Sequence, residues 1–165
     1  MGGQPIAIGI DARYGLRYPR RGVGEYVYRL FQELGQMSHR GYQMVLFGDQ
    51  SADESVVREF QGTYPVIIIR SPNFFFWEQI EWPRQARAQG IAVLHGTANI
   101  APLAWNHLLL TVHDVIEWHR GLDFPGDISL RHRLSRTYRM NTLRILAPRA
   151  QAIFTVSEHA MTGHA

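Results

Sequence analysis

Two short runs of the sequence end in residues able to move a proton or hold a hydroxyl group. LLLTVHD closes on His113–Asp114, and IAVLHG closes on His95–Gly96. An imidazole beside a carboxylate can act as a general base, bind a hydroxyl or ligate a metal. The spacing fits a plainer role equally well, in which the strand stops and Asp114 caps the following turn. His95 carries the same ambiguity. Asp11, after IAIGI, and Ser157–Glu158, after AQAIFTV, also close apolar runs. Ser157 suits a helix N-cap, and no G-x-S-x-G elbow surrounds it, so nothing supports a serine hydrolase.

The loop RRGVGEY adds a second kind of chemistry. Gly22 and Gly24 stand just before a predicted helix, where free N–H groups and the helix dipole favour an anion. Arg17, Arg20 and Arg21 precede or border it. A guanidinium forms two parallel hydrogen bonds to an oxyanion, which suits phosphate. The loop is a poor dinucleotide fingerprint, because the third glycine is missing and ten residues separate Asp11 from Gly22. A loop needing positive φ would use the same glycines.

These residues need elements to position them. Apolar strands are expected at 6–11, 42–48, 65–70, 91–96, 107–114 and 150–157. Helices are expected at 25–37, with Tyr26, Leu30, Leu34 and Met37 on one stripe, and at 52–62, capped by Ser51 or Asp53. Further helices are expected at 77–88, kinked or restarted by Pro83, and at 128–146. Strands alternating with helices, several of them continuously apolar, predict an α/β fold: a Rossmann-like three-layer sandwich with a mostly parallel sheet. Ligands of such sheets gather at the carboxyl ends of strands. Asp11, His95–Gly96, His113–Asp114 and Ser157–Glu158 all close strands, so one edge is expected to collect them.

Composition narrows the class. The chain has 165 residues, 45% hydrophobic and 19% charged, which suits a single core-forming domain. It has no cysteine, hence no disulfide scaffold, thiolate metal site or thiol nucleophile. All 17 basic residues are arginine, but a net charge of +3 without a nucleic-acid motif gives no reason to expect a nucleic-acid partner. No apolar run approaches the ~20 residues that span a bilayer, and the N-terminus has no signal-peptide pattern. Phe74–Phe76 cannot all face the core, so part of FFFWEQIEW is expected at the surface, as a domain contact or a membrane-surface patch. The arginine-rich segment 128–146, with Arg131, Arg133, Arg136 and Arg139, reads as a solvated face or an anionic-membrane contact. His39, His107, His119 and His132 read as surface or packing residues.

Taken in order, IGIDAR…RRGVGEYVYRL, FFFWEQIEWP, VLHGTANIAPL, LLLTVHDVI and APRAQAIFTVSEHA resemble the N-terminal half of a family 4 glycosyltransferase, of the retaining GT-B, "group 1" type and its mannosyltransferase-like branch. The resemblance implies one half of a GT-B fold, with 1–165 as the acceptor-side domain. It also implies a nucleotide-sugar donor, held mainly by a C-terminal domain this chain lacks, and a glycan or lipid-linked acceptor. Gly22 and Gly24 match the glycine loop near the donor diphosphate, with Arg21 beside it. His113 matches the histidine contacting the transferred sugar, and Asp114 would orient its loop. His95, Gly96 and Asn99 match an acceptor-side segment; Trp77, Glu78 and Gln79 match an aromatic helix near the cleft. No metal or other cofactor is implied. The expected setting is cytoplasmic, at the inner membrane face if the aromatic or basic segment touches lipid. The chain is expected to be a domain of a longer enzyme or a truncated product, inactive alone.

Other readings of the same residues are a non-catalytic glycan- or partner-binding module and a metal-dependent phosphohydrolase using His95, His113 and Asp114. A dinucleotide oxidoreductase is disfavoured by the incomplete glycine pattern.

Overall fold

The computed structural model describes residues 5–37, 41–113 and 130–156, with the side chains of 130–133 outside that description. Asp114, Ser157, Glu158, His39 and His119 lie outside the described residues.

Six strands form one sheet: β1 (Ile6–Asp11), β2 (Tyr42–Asp49), β3 (Val66–Ile69), β4 (Val93–Gly96), β5 (Leu108–Val112) and β6 (Ala152–Thr155). Their order is β3-β2-β1-β4-β5-β6, and every neighbouring pair is parallel. The expected α/β, Rossmann-like architecture is therefore present. The chain steps from β1 through β2 to β3, then returns to the other side of β1 to lay down β4. That reversal leaves a crevice at the carboxyl ends of β1 and β4, the usual ligand position in such sheets.

Strand side chains alternate between two cores. Ile10 and Leu46 face α1 (Val23–Gln36) and α2 (Glu54–Gln61), meeting Val27, Phe31, Val56 and Phe60. Val45, Phe47, Leu94, Leu108 and Leu110 face the opposite way, toward Trp77, Trp82, Leu143 and Leu146. Burying a side chain such as Phe31 contributes roughly 1.5–3 kcal/mol. Both faces are covered, which explains why the strands read as continuous apolar runs rather than alternating ones.

The docked face of α1 differs from the expected stripe. Gly24, Val27 and Phe31 are buried, Tyr26, Leu30 and Leu34 are half-buried, and Met37 is exposed. Of the two candidate caps for α2, Asp53 does the capping: its carboxylate accepts from the N–H groups of Ser55 and Val56. The aromatic helix starts earlier than expected. Asn73 caps α3 (Phe74–Phe76), a π-helical turn (Trp77–Glu81) follows, and α4 (Trp82–Ala88) completes the run. Pro83 has no N–H to give, and the ladder widens just before it, with the Trp82 N–H reaching the Trp77 carbonyl. Phe75 and Phe76 are exposed, as their crowding requires. The basic helix α5 runs Leu130–Leu146 and packs Leu143 and Leu146 into the core.

One connection breaks the alternation of strand and helix. Residues 97–107 link β4 to β5 without a helix, and buried Ala101 and Trp105 fill the core there instead. Trp105 is held by an indole N–H bond of 3.3 Å to the Ala92 carbonyl. No helix among the described residues is long and apolar enough to cross a membrane.

Candidate functional site

The crevice between β1 and β4 is closed by the first residues of that helix-free link. The Thr97 hydroxyl donates to the Asp11 carbonyl at 2.7 Å, tying the link to the end of β1. Asn99 stands at φ 64, a conformation asparagine tolerates better than most residues. Its backbone N–H donates to the Thr111 carbonyl at 3.0 Å, and its side-chain oxygen accepts the His113 N–H at 2.8 Å. Gly96 makes the turn feasible: a Cβ there would lie 2.0 Å from the Ile100 carbonyl oxygen. Asn99 and Gly96 thus shape and position the crevice.

His113 is half-buried one residue beyond β5. Its Nε2 lies 2.7 Å from the Thr97 carbonyl oxygen, an atom that can only accept. In the neutral tautomer this places the proton on Nε2 and the lone pair on Nδ1. The ring meets Tyr26 edge-on, with centroids 4.9 Å apart. Tyr26 sits in the first turn of α1, where its N–H bonds the Gly22 carbonyl at 3.1 Å. A single aromatic residue thus joins the glycine loop to His113.

Gly22 is the N-cap of α1, at φ 51 and ψ −117, exposed, with open space where a Cβ would stand and no side-chain cap on the helix. Of the first N–H groups of α1, that of Gly24 bonds the Arg21 carbonyl at 3.0 Å, and those of Val23 and Glu25 keep their capacity for an anion. Arg21 is exposed beside it. Gly24 is buried, and a Cβ there would meet the Tyr14 carbonyl at 2.9 Å, so this glycine permits close packing of α1 on the preceding loop.

His95 sits differently. It lies inside β4, buried, with Nε2 2.9 Å from the Thr111 hydroxyl and its ring against Phe154. Burial pulls its pKa down to about 4, so it is neutral at physiological pH. It supports the strand ends from below rather than lining the crevice. Trp77 and Glu78 are also buried.

A buried ion network at the end of β1 escaped the sequence reading. Arg13, fully buried, bonds Asp11 through Nε (2.9 Å) and Nη2 (2.6 Å), and reaches Glu78 through Nη2 at 2.8 Å. Its guanidinium carbon stands 3.9 Å from the Trp77 ring centroid and 4.3 Å from that of Phe74. Glu78 also accepts the Tyr138 hydroxyl at 3.0 Å, and Tyr138 accepts from Gln79 at 2.8 Å. Two carboxylates share one guanidinium here. Burial pushes Glu78 up to about 7, against the pull of Arg13. Burial also works against the charge on Arg13, but Asp11 and Glu78 outweigh it and raise its pKa. The only signal in the sequence was an arginine two residues past a strand end and a glutamate inside an aromatic run.

Among the described residues no group of three His, Cys, Asp or Glu side chains stands together as metal ligands, and the phosphohydrolase reading finds no support.

The reversal of strand order, with a glycine-capped helix and a strand-end histidine beside it, defines a doubly wound α/β domain, a class whose ligands sit at the carboxyl edge of the sheet. Within that class, the family described as Glycosyltransferase Family 4 matches residues 20–162, and the chain belongs to it. No curated protein matches the chain.

Proposed function

We propose that this chain is the acceptor-side domain of a GT-B, group 1 hexosyltransferase that moves a hexose, mannose-like, from a nucleotide-sugar to a glycan or lipid-linked acceptor with retention. A donor-binding domain completes the enzyme. The observation that carries the reading is the contact of Tyr26 with both the Gly22 turn and His113, which puts an anion-ready helix end beside the imidazole.

The chemistry suits that pairing. Departure of a nucleoside diphosphate builds negative charge on phosphate and positive charge on the sugar. The uncapped N–H groups of α1, with Arg21 nearby, would face the first. His113 Nδ1 would accept a hydrogen bond from a hydroxyl of the sugar, its ring held by the Thr97 carbonyl and Tyr26. The reading invokes no metal. Exposed Phe75, Phe76 and Ile80 favour a lipid-linked acceptor and a peripheral, cytoplasmic-face membrane contact.

Radiolabelled nucleotide-hexoses offered with membrane and soluble acceptors test it. The two-domain protein should transfer label, and the 165-residue chain alone should not. Absence of transfer from every donor overturns the function. Transfer by the chain alone overturns the division of labour between domains.

A further inference from the structure

His113 is the first residue past the end of β5, where pairing with β6 stops at Val112 and Thr155. Its backbone N–H needs an acceptor from elsewhere, and the Asn99 side-chain oxygen supplies it at 2.8 Å. The ring is held separately, with Nε2 standing 2.7 Å from the Thr97 carbonyl oxygen. Two residues of the helix-free link thus grip one histidine, one by its main chain and one by its ring.

Both grips are themselves anchored. Thr97 is fully buried, and its hydroxyl donates to the Asp11 carbonyl at 2.7 Å, at the end of β1. Asp11 is clamped in turn by the Arg13 backbone N–H at 3.1 Å and by its guanidinium. The Asn99 N–H donates to the Thr111 carbonyl at 3.0 Å, inside β5. The direction of the Thr97 carbonyl is therefore set by bonds to β1 and β5, on either side of it in the link. Asn99 meets two demands at once. Its φ of 64 favours glycine or asparagine over other residues, and glycine carries no side-chain oxygen.

His95 shows what the partner of an imidazole decides. Its Nε2 faces the Thr111 hydroxyl, which both donates and accepts, so either tautomer fits. The Thr97 carbonyl only accepts. A ring with one proton keeps it on Nε2 there, and Nδ1 is the nitrogen left for a ligand. We propose that Thr97 and Asn99 are positioning residues, which fix the place and the tautomer of His113 and act on the reaction through it. The proposal deepens the sugar-transfer reading and rests on it for the work His113 does. It assigns the Asn99 oxygen to His113 rather than to an acceptor.

NMR spectra of the ¹⁵N-labelled chain test the grip without any substrate. The His113 Nε2–H should give a slowly exchanging proton signal, and Nδ1 the shift of an unprotonated ring nitrogen. Thr97→Val removes the anchoring hydroxyl, and Thr97→Ser keeps it. The first should speed exchange of the Nε2 proton on the order of tenfold, and the second should leave it protected. Asn99→Gly accepts the backbone conformation but loses the oxygen, and Asn99→Asp retains an acceptor. Exchange of the His113 backbone amide should rise on the order of tenfold in Asn99→Gly alone. In the two-domain enzyme, Thr97→Val and Asn99→Gly should lower kcat about 10- to 100-fold, with KM within about threefold. Thr97→Ser should keep kcat within about threefold of wild type. If Thr97→Val does not fold, the Asn99 pair carries the test. The proposal is overturned if folded Thr97→Val and Asn99→Gly leave these protons as protected as in wild type. It is also overturned if the protons are released and kcat does not fall, or if Thr97→Ser loses as much as Thr97→Val. Released protons in a two-domain protein that transfers no sugar would sink the transfer reading alone.

Discussion

Gly96 shows how one residue controls the crevice. It ends β4, and the chain doubles back so closely that a methyl group there would strike the Ile100 carbonyl. That atom is backbone and cannot swing aside as a flexible side chain would. Gly96→Ala should therefore destabilise the domain by about 2–4 kcal/mol in urea unfolding and displace the Thr97–Asn99 bridge. A change below about 0.5 kcal/mol would show that the link relaxes freely and does not position the site. His113 and His95 carry the complementary lesson. Both were legible as histidines near strand ends. Their difference depends on where each ladder stops, because His113 lies one residue past β5 while His95 lies within β4. A shift of one position separates a rim side chain from a buried one, and residue type alone does not encode it. Arg13 was not legible as a site residue, because its partner Glu78 stands 65 positions away in sequence.

At the scale of elements, hydrophobic periodicity located the six strands and the helices of the described residues, with boundaries off by at most three residues. Its failure on α1 has a physical origin. Tyr26, Leu30 and Leu34 form a plausible stripe, and Val27, Phe31 and Leu34 form an overlapping one centred about 70° away from it. The choice between them is made by docking: Gly24 lets the helix approach the Tyr14 carbonyl, which turns Val27 and Phe31 inward. That contact is tertiary and absent from the local pattern. The helix-free link 97–107 was legible as loop but not as a core-filling one. Ala101 and Trp105 act there through burial, and no periodicity announces it. Pro83 was a sound signal of interruption. The form of the interruption, a π-helical turn that buries Trp77 and Glu78 against Arg13, came from the partners those side chains find.

Across the whole molecule, two buried titratable groups, His95 and Glu78, pull stability in opposite directions with pH. His95 has a folded pKa of about 4 against 6.5 when unfolded, so its contribution is present above pH 6.5 and is lost as pH falls toward 4. Glu78 has a folded pKa of about 7 against 4.5, so its contribution is present below pH 4.5 and is lost as pH rises through 7. Between pH 4.5 and 6.5 the slopes oppose, each at up to roughly 1.4 kcal/mol per pH unit. His95→Gln should unmask a decline with rising pH, and Glu78→Gln a decline with falling pH, both read by urea unfolding across pH 4–8. Parallel profiles for the two variants would contradict the assignment.

The proposed working edge lies where the Gly22 turn meets His113, with His95 buried in the neighbouring strand. Transfer kinetics of His113→Ala and His95→Gln in the two-domain enzyme, measured where both variants remain folded, test this most directly. His113→Ala should lower kcat about 100-fold or more, and His95→Gln should leave it within about threefold, less than 1 kcal/mol of transition-state stabilisation. The reverse order, with His113→Ala near wild-type and His95→Gln inactive, would contradict it.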